Sequence, residues 1–102
     1  MGLLDLLGFG NKSKKIAEFI AKGAIIIDVR SAGEFLGGHI KGSKNIPLDT
    51  ISSKIEELKN LKKPVITCCA SGMRSGLATA TLKSNGIETM NGGGWMGLES
   101  KL

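Results

Sequence analysis

Two adjacent cysteines, Cys68 and Cys69, are the first candidates for chemistry in this 102-residue chain. They end an apolar run, Pro64-Val65-Ile66-Thr67-Cys68, and are followed by Ala70-Ser71-Gly72-Met73-Arg74-Ser75. The run reads as a buried strand, and a helix is predicted from about Met73 to Asn85-Gly86, a pair common at helix C-termini. A thiol at a strand-to-helix junction lies near unpaired backbone N–H groups and the positive end of the helix dipole. Both favour thiolate, so Cys69 is expected to titrate below the free value of about 8.5. Gly72 permits the tight curl that turns successive N–H groups inward as an anion-binding nest. Arg74 closes the loop with a guanidinium suited to an oxyanion. The alternative is that both cysteines are inert small hydrophobes. That describes Cys68, which the strand pattern buries, but leaves the loop around Cys69 without a purpose.

Neighbouring cysteines do not easily reach an unstrained disulfide. Two thiols and the single histidine, His39, fall short of the roughly four ligands of a zinc site. No metal and no cofactor are therefore expected, and free thiols suit a reducing, cytoplasmic compartment. A second polar group, Asp28-Val29-Arg30, stands at the end of the β-branched run Ala24–Val29. Buried charges are usually paired. Asp28, Arg30, Glu34 and His39 are thus expected to be scaffold, with orientation of the Cys69 loop as the alternative.

Several elements must position these residues. Ser13 reads as the N-cap of a helix carrying Ile16, Phe19 and Ile20 and closed by Gly23. Ala24–Val29, apolar on both faces, reads as a buried parallel strand. Ser31 and Glu34 form a capping box for a short helix ending at Gly37-Gly38. His39–Pro47 is predicted as loop with a short extended piece around Asn45-Ile46, and Ile51, Ile55 and Leu58 mark another amphipathic helix. Ile87–Met90 is the last predicted strand, broken by Asn91-Gly92-Gly93-Gly94. Short strands alternating with helices imply an α/β fold, a parallel sheet covered on both faces with ligands at the carboxyl ends of strands.

Composition agrees with one globular domain: 41% of residues are hydrophobic and 23% charged. Residues 1–12 are assigned to a short N-terminal segment and 13–102 to the domain. Fifteen glycines, about twice the usual share, imply tight turns or close backbone approaches. Twelve lysines and two arginines give a net charge of +5. The lysines are scattered, which reads as a solvated surface rather than a nucleic-acid footprint. The positive field would still draw small anionic substrates and acidic partner proteins. At the N-terminus the apolar residues precede the lysines, the reverse of a secretory signal. No apolar run approaches a membrane span. Leu3, Leu4, Leu6 and Leu7 predict a short helix docked on the domain, with a peripheral membrane anchor as the alternative.

The segment CASGMRSG after a strand resembles the active-site loop of rhodanese domains, a cysteine, four residues and an arginine. Upstream, DVRSAGEFLGGHIKGSKNIPL is similar to the rhodanese signature, with its D-V-R, E-F, G-H-I, G-S and N-I-P elements in order. Gly92-Gly93-Gly94-Trp95 is similar to the glycine-rich turn that closes the family's fold. The resemblance runs from about residue 13 to 97. It implies a rhodanese-like, five-stranded parallel sheet with helices on both faces, and a sulfurtransferase working by double displacement through a persulfide on Cys69. It places substrate against Ala70, Ser71, Gly72, Met73, Arg74 and Ser75, with Asp28, Arg30 and His39 in support. The implied partners are a small anionic, thiosulfate-like sulfur donor and a thiol or protein acceptor, with no nucleic acid and no transmembrane segment. Two departures leave the donor open: Trp95 stands without the second tryptophan often seen in the family, and there is no second rhodanese-like half.

Two rival readings remain. Counting from Cys68 gives a cysteine, five residues, Arg74 and Ser75, the loop of cysteine-dependent phosphatases, some of which share the rhodanese fold. Against it, Cys68 continues the strand and Thr67 replaces a histidine that many such enzymes carry. A non-catalytic binding module is the other, although cysteine and arginine are both present. Gly92-Gly93-Gly94-Trp95-Met96-Gly97 formally satisfies the dinucleotide pattern G-x-G-x-x-G, but it is expected to be a turn, with no helix or second strand after it.

Overall fold

β1 (Ile25–Asp28) and β3 (Val65–Cys69) are the two apolar runs, and they pair in parallel with Ile25 opposite Val65 and Asp28 opposite Cys68. The computed structural model that shows this describes residues 9–102, so the expected leucine-rich helix lies outside the described residues. β2 (Lys44–Asn45) adds to the outer edge of β1, and β4 (Thr89–Gly94) to that of β3. The order is β2-β1-β3-β4, all parallel. The fold is α/β, a parallel sheet with helices between its strands. The sheet has four strands among the described residues. These are the four that the residue pattern marks, whereas the fifth came only with the family resemblance.

Because neighbouring strand residues face opposite ways, the two strand interiors feed two apolar layers. On one face Ile27, Val29, Val65 and Cys69 pack against Ile51, Ile55 and Leu58, and against Ala78 and Leu82 of the long helix α4 (Met73–Ser84). On the other, Ile66, Cys68 and Met90 pack against Ile16 and Phe19 of α1 (Phe9–Ala21) and Leu98 of α5 (Trp95–Glu99). Both faces are covered, as parallel sheets require.

Several boundaries differ from expectation for identifiable reasons. α1 begins at Phe9, four residues before Ser13. Ser13 has Ile16 three residues on, so it lacks the reciprocal acidic partner of a capping box. By contrast, Ser31 and Glu34 form the complete box that starts α2 (Ala32–Leu36). The helix of Ile51, Ile55 and Leu58 is split into a 3-10 segment (Leu48–Lys54) followed by α3 (Ile55–Leu61). α4 ends at Ser84 and is capped by Asn85 of the expected Asn85-Gly86 pair.

The glycine run is not a break. β4 continues through Gly94, and α5 follows it directly. A Cβ on Gly92 would stand 2.8 Å from the Thr67 carbonyl and 2.8 Å from Ile66 Cγ2. One on Gly94 would stand 2.8 Å from the Ala70 carbonyl. The strand therefore approaches β3 and its loop too closely for any side chain. The five-residue helix after it was not anticipated. The dinucleotide pattern is still explained by this packing, with glycines fitted against protein backbone rather than a pyrophosphate.

Candidate active site

Cys69 is the last residue of β3, one position later than the strand end expected from sequence. Cys68 and Cys69 consequently face opposite layers. Cys68 is packed among Ile16, Phe19, Ile40, Ile66, Met90 and Leu98. Burial, reinforced by the Asp28 carboxylate, pushes its thiol up to about 12. Burial and a raised pKa both disfavour a thiolate there, which argues against the phosphatase count from Cys68.

Cys69 lies on the face of α4, and the chain curls over it. The Gly72 N–H donates to Sγ at 3.0 Å, and the Ser75 N–H and Oγ lie at 3.4 Å. Gly72 makes this curl possible with φ +99°, and its Cα hydrogen faces Gly93 Cα, where a Cβ would come within 3.2 Å. Burial alone would raise the Cys69 pKa. The hydrogen bonds from the Ser75 hydroxyl and from the Ser75, Gly72 and Ser71 amides outweigh it and lower the thiol below its ordinary value. From its place at a loop entrance, Cys69 is expected to be partly exposed; it is instead 1% exposed, because the loop that activates it also covers it. Water exclusion strengthens those hydrogen bonds.

The loop residues contribute unequally. Ser71, Gly72 and Ser75 act on Sγ, and the Ala70 carbonyl packs on Gly94. Met73 points its side chain to solvent, 77% exposed. Arg74 does not stand free: Nη1 and Nη2 donate to the Glu34 carboxylate at 2.7 and 2.9 Å, tying the loop to α2. A guanidinium has five N–H donors, so this bidentate pair leaves others for an anion. The pair explains Glu34, which carries both the α2 cap and the arginine.

Asp28, Arg30 and His39 lie outside the sulfur's hydrogen-bond shell. Arg30 binds the Asp28 carboxylate through Nε and Nη2 and donates to the carbonyls of Gly38 and Glu34. Its guanidinium also sits 4.8 Å over the Trp95 ring. His39 is exposed, stacked on Phe35 with Nδ1 at 2.8 Å from the Phe35 carbonyl. Arg30 thus ties the end of β1 to the carbonyls of Glu34 and Gly38, whereas the His39 contacts stay local to Phe35. Three site residues were not read from the sequence. Thr67 Oγ1 donates to the Ser75 carbonyl at 3.1 Å and meets Thr79 Oγ1 at 2.8 Å, and Asn91 bonds to Ser75 and Gly72. The alternation of β3 places Thr67 two residues before Cys69 on the same face, a signal that was available.

The Arg74–Glu34 pair makes a pH prediction. Arg74, then the Ser31 amide, hold the Glu34 carboxyl at about 2, below its ordinary 4.5. A carboxyl lowered in the folded state stabilises it above the unfolded value, and the contribution fades as pH falls through the folded one. Both side chains are 38% exposed, so solvent keeps the effect small. Urea midpoints measured from neutral pH down to about 2 should fall less for Glu34→Gln than for the wild type. Parallel curves would show that the pair has no such role.

A family model, the rhodanese-like domain, matches residues 13–100. The chain belongs to the rhodanese-like domain family. Among curated proteins, the uncharacterized protein YqhL of Bacillus subtilis is 44% identical over 73 residues, covering 69% of this chain and 57% of that protein. The thiosulfate sulfurtransferase GlpE of Pseudomonas putida is 32% identical over 66 residues, covering 65% and 59%. The matched region thus spans less than two thirds of either relative. Among solved structures, a rhodanese-like domain protein from Staphylococcus aureus superposes with a TM-score of 0.67 at 34% identity, covering 74% of each chain. This rhodanese-like domain places its loop, Cys69 to Arg74, at the carboxyl end of a central strand, where ligands bind in parallel sheets.

Proposed function

We propose that this rhodanese-like domain is a sulfurtransferase that carries sulfane sulfur on Cys69. One observation carries the reading: Cys69 Sγ, at the head of α4, is ringed by the Gly72 and Ser75 amides and the Ser75 hydroxyl. Such donors favour an anionic sulfur, whether thiolate or persulfide. The similarity to a thiosulfate sulfurtransferase supports the choice of chemistry.

In the first step the Cys69 thiolate attacks the outer sulfur of a thiosulfate-like donor. The donor's S–S bond breaks, and sulfite leaves with the bonding pair. Cys69 then holds a persulfide whose terminal sulfur carries the negative charge. In the second step a thiophilic acceptor attacks that terminal sulfur, and the electron pair returns to Cys69 as thiolate. No proton need move in either step when the acceptor is an anion such as cyanide. Arg74, anchored by Glu34, supplies positive charge at the loop for the donor's oxygens.

The test is formation of thiocyanate from thiosulfate and cyanide by the purified protein. Cyanide-dependent thiocyanate above the uncatalysed rate is expected. No thiocyanate and no persulfide with any of several donors would remove the sulfurtransferase reading. A non-catalytic module would give that second result.

A further inference from the structure

Asn91, the third residue of β4, bonds to Gly72 and Ser75, two residues that donate to the sulfur. Its Oδ1 accepts from the Gly93 N–H at 2.9 Å and from Ser75 Oγ at 2.7 Å, and its Nδ2 donates to the Gly72 carbonyl at 2.9 Å. The Gly93 amide can only donate, so it fixes which end of the carboxamide is oxygen. The Ser75 hydroxyl must then be the donor in its bond to Asn91. A hydroxyl has one proton. While that proton is on Asn91, Ser75 offers Cys69 Sγ, 3.4 Å away, only a lone pair, and the thiol proton can occupy it. Once Cys69 is a thiolate, the same hydroxyl must turn to the sulfur to help it, leaving Asn91 Oδ1 with the Gly93 amide alone.

We propose that Asn91 is a positioning residue of the sulfur site, acting through the Ser75 hydroxyl and the Gly72 carbonyl. It competes with the sulfur for the Ser75 proton and anchors the carbonyl side of Gly72, the residue whose own N–H lies closest to Sγ. The proposal rests on Cys69 being the sulfur-bearing residue. It concerns only how that thiol is held, so it can fail separately from the transfer reaction. Other charged or titratable groups near the loop are Cys68 on β3, facing the opposite layer, Arg74 in α4 paired with Glu34 of α2, Lys12 of α1 beside Gly93, Lys15 of α1 and Lys83 of α4 lining a cleft with Asn91, and Asp28 at the end of β1 paired with Arg30. None of them bonds to Ser75 Oγ.

The test is the pH dependence of Cys69 alkylation by iodoacetamide, with the labelled residue mapped by mass spectrometry. Asn91→Asp keeps an acceptor for Ser75, strengthens it with charge, and loses the donor to Gly72. The alkylation midpoint should rise by about one unit, a tenfold smaller thiolate fraction well below the midpoint. In the Ser75→Ala background the same substitution should shift it by less than half as much, because the contested proton is gone. An unchanged midpoint in Asn91→Asp would overturn the proposal. So would an undiminished shift without Ser75, which would leave only the added charge at work. If Asn91→Asp does not fold, Asn91→Ser carries the test through amide exchange at Gly72, expected at least about tenfold faster than in the wild type. Unchanged exchange there would equally overturn it. Because alkylation needs no sulfur donor, a wild type that transfers no sulfur would defeat the proposed function while this titration still reports on Asn91.

Discussion

Cys69→Ser should reduce thiocyanate formation to background, whereas Cys68→Ser should retain it. Serine at position 69 keeps an acceptor for the Gly72 and Ser75 donors, but its hydroxyl neither ionises near neutral pH nor forms a persulfide. Little stability should be lost, since the buried oxygen finds donors already in place. Cys68→Ser places a hydroxyl among Ile16, Phe19, Ile40, Ile66, Met90 and Leu98, with none of their side chains able to bond it. The cost should be about 1–3 kcal/mol, read from urea unfolding. The two variants thus separate activity from stability. Loss of activity in Cys68→Ser, with aryl phosphate hydrolysed only while Cys68 is intact, would return the phosphatase reading.

The largest stability effect is expected away from the sulfur, at Arg30→Met. Asp28 is 0% and Arg30 5% exposed, and their pairing includes bonds from both Nε and Nη2. Methionine preserves much of the side-chain volume but leaves the Asp28 carboxylate buried without its cation. It also frees the Gly38 carbonyl that Arg30 caps. Breaking a buried pair from one side costs about 3–5 kcal/mol. For a domain of this size that corresponds to a fall in Tm of more than about 10 °C. A loss below about 1 kcal/mol would mean that the pair is dispensable and that other contacts hold the strand ends.

How far this site could be read in the sequence depended on the range of the interactions. The β-branched runs around Ile26 and Ile66 and the Ser31–Glu34 box are local patterns, and each became the element expected. The Cys69 loop was legible for the same reason: a short stretch contains the sulfur, its amide donors and the helix start. Contacts between distant segments left weaker marks. Asn91 follows Ser75 by 16 residues and meets it only because β4 lies beside β3. Glu34 and Arg74 are 40 residues apart, and each had a sufficient local explanation, a cap and a loop cation, that concealed their pairing. The glycine run misled in the opposite direction. Glycine usually breaks a strand, but here close backbone approach at Gly92 and Gly94 demands it. The exposure of Cys69 was likewise misjudged, since nearness to a loop says nothing about whether that loop folds back over the thiol.

The central claim is that Cys69 accepts a sulfur atom, and the mass of the intact protein after incubation with thiosulfate tests it most directly. The protein should gain the mass of one sulfur, lose it again on reduction or cyanide treatment, and carry it at Cys69 when the peptides are mapped. Cys68→Ser should gain the same mass and Cys69→Ser should not. A wild type whose mass is unchanged with every donor tried, or a sulfur that maps to Cys68, would contradict the account.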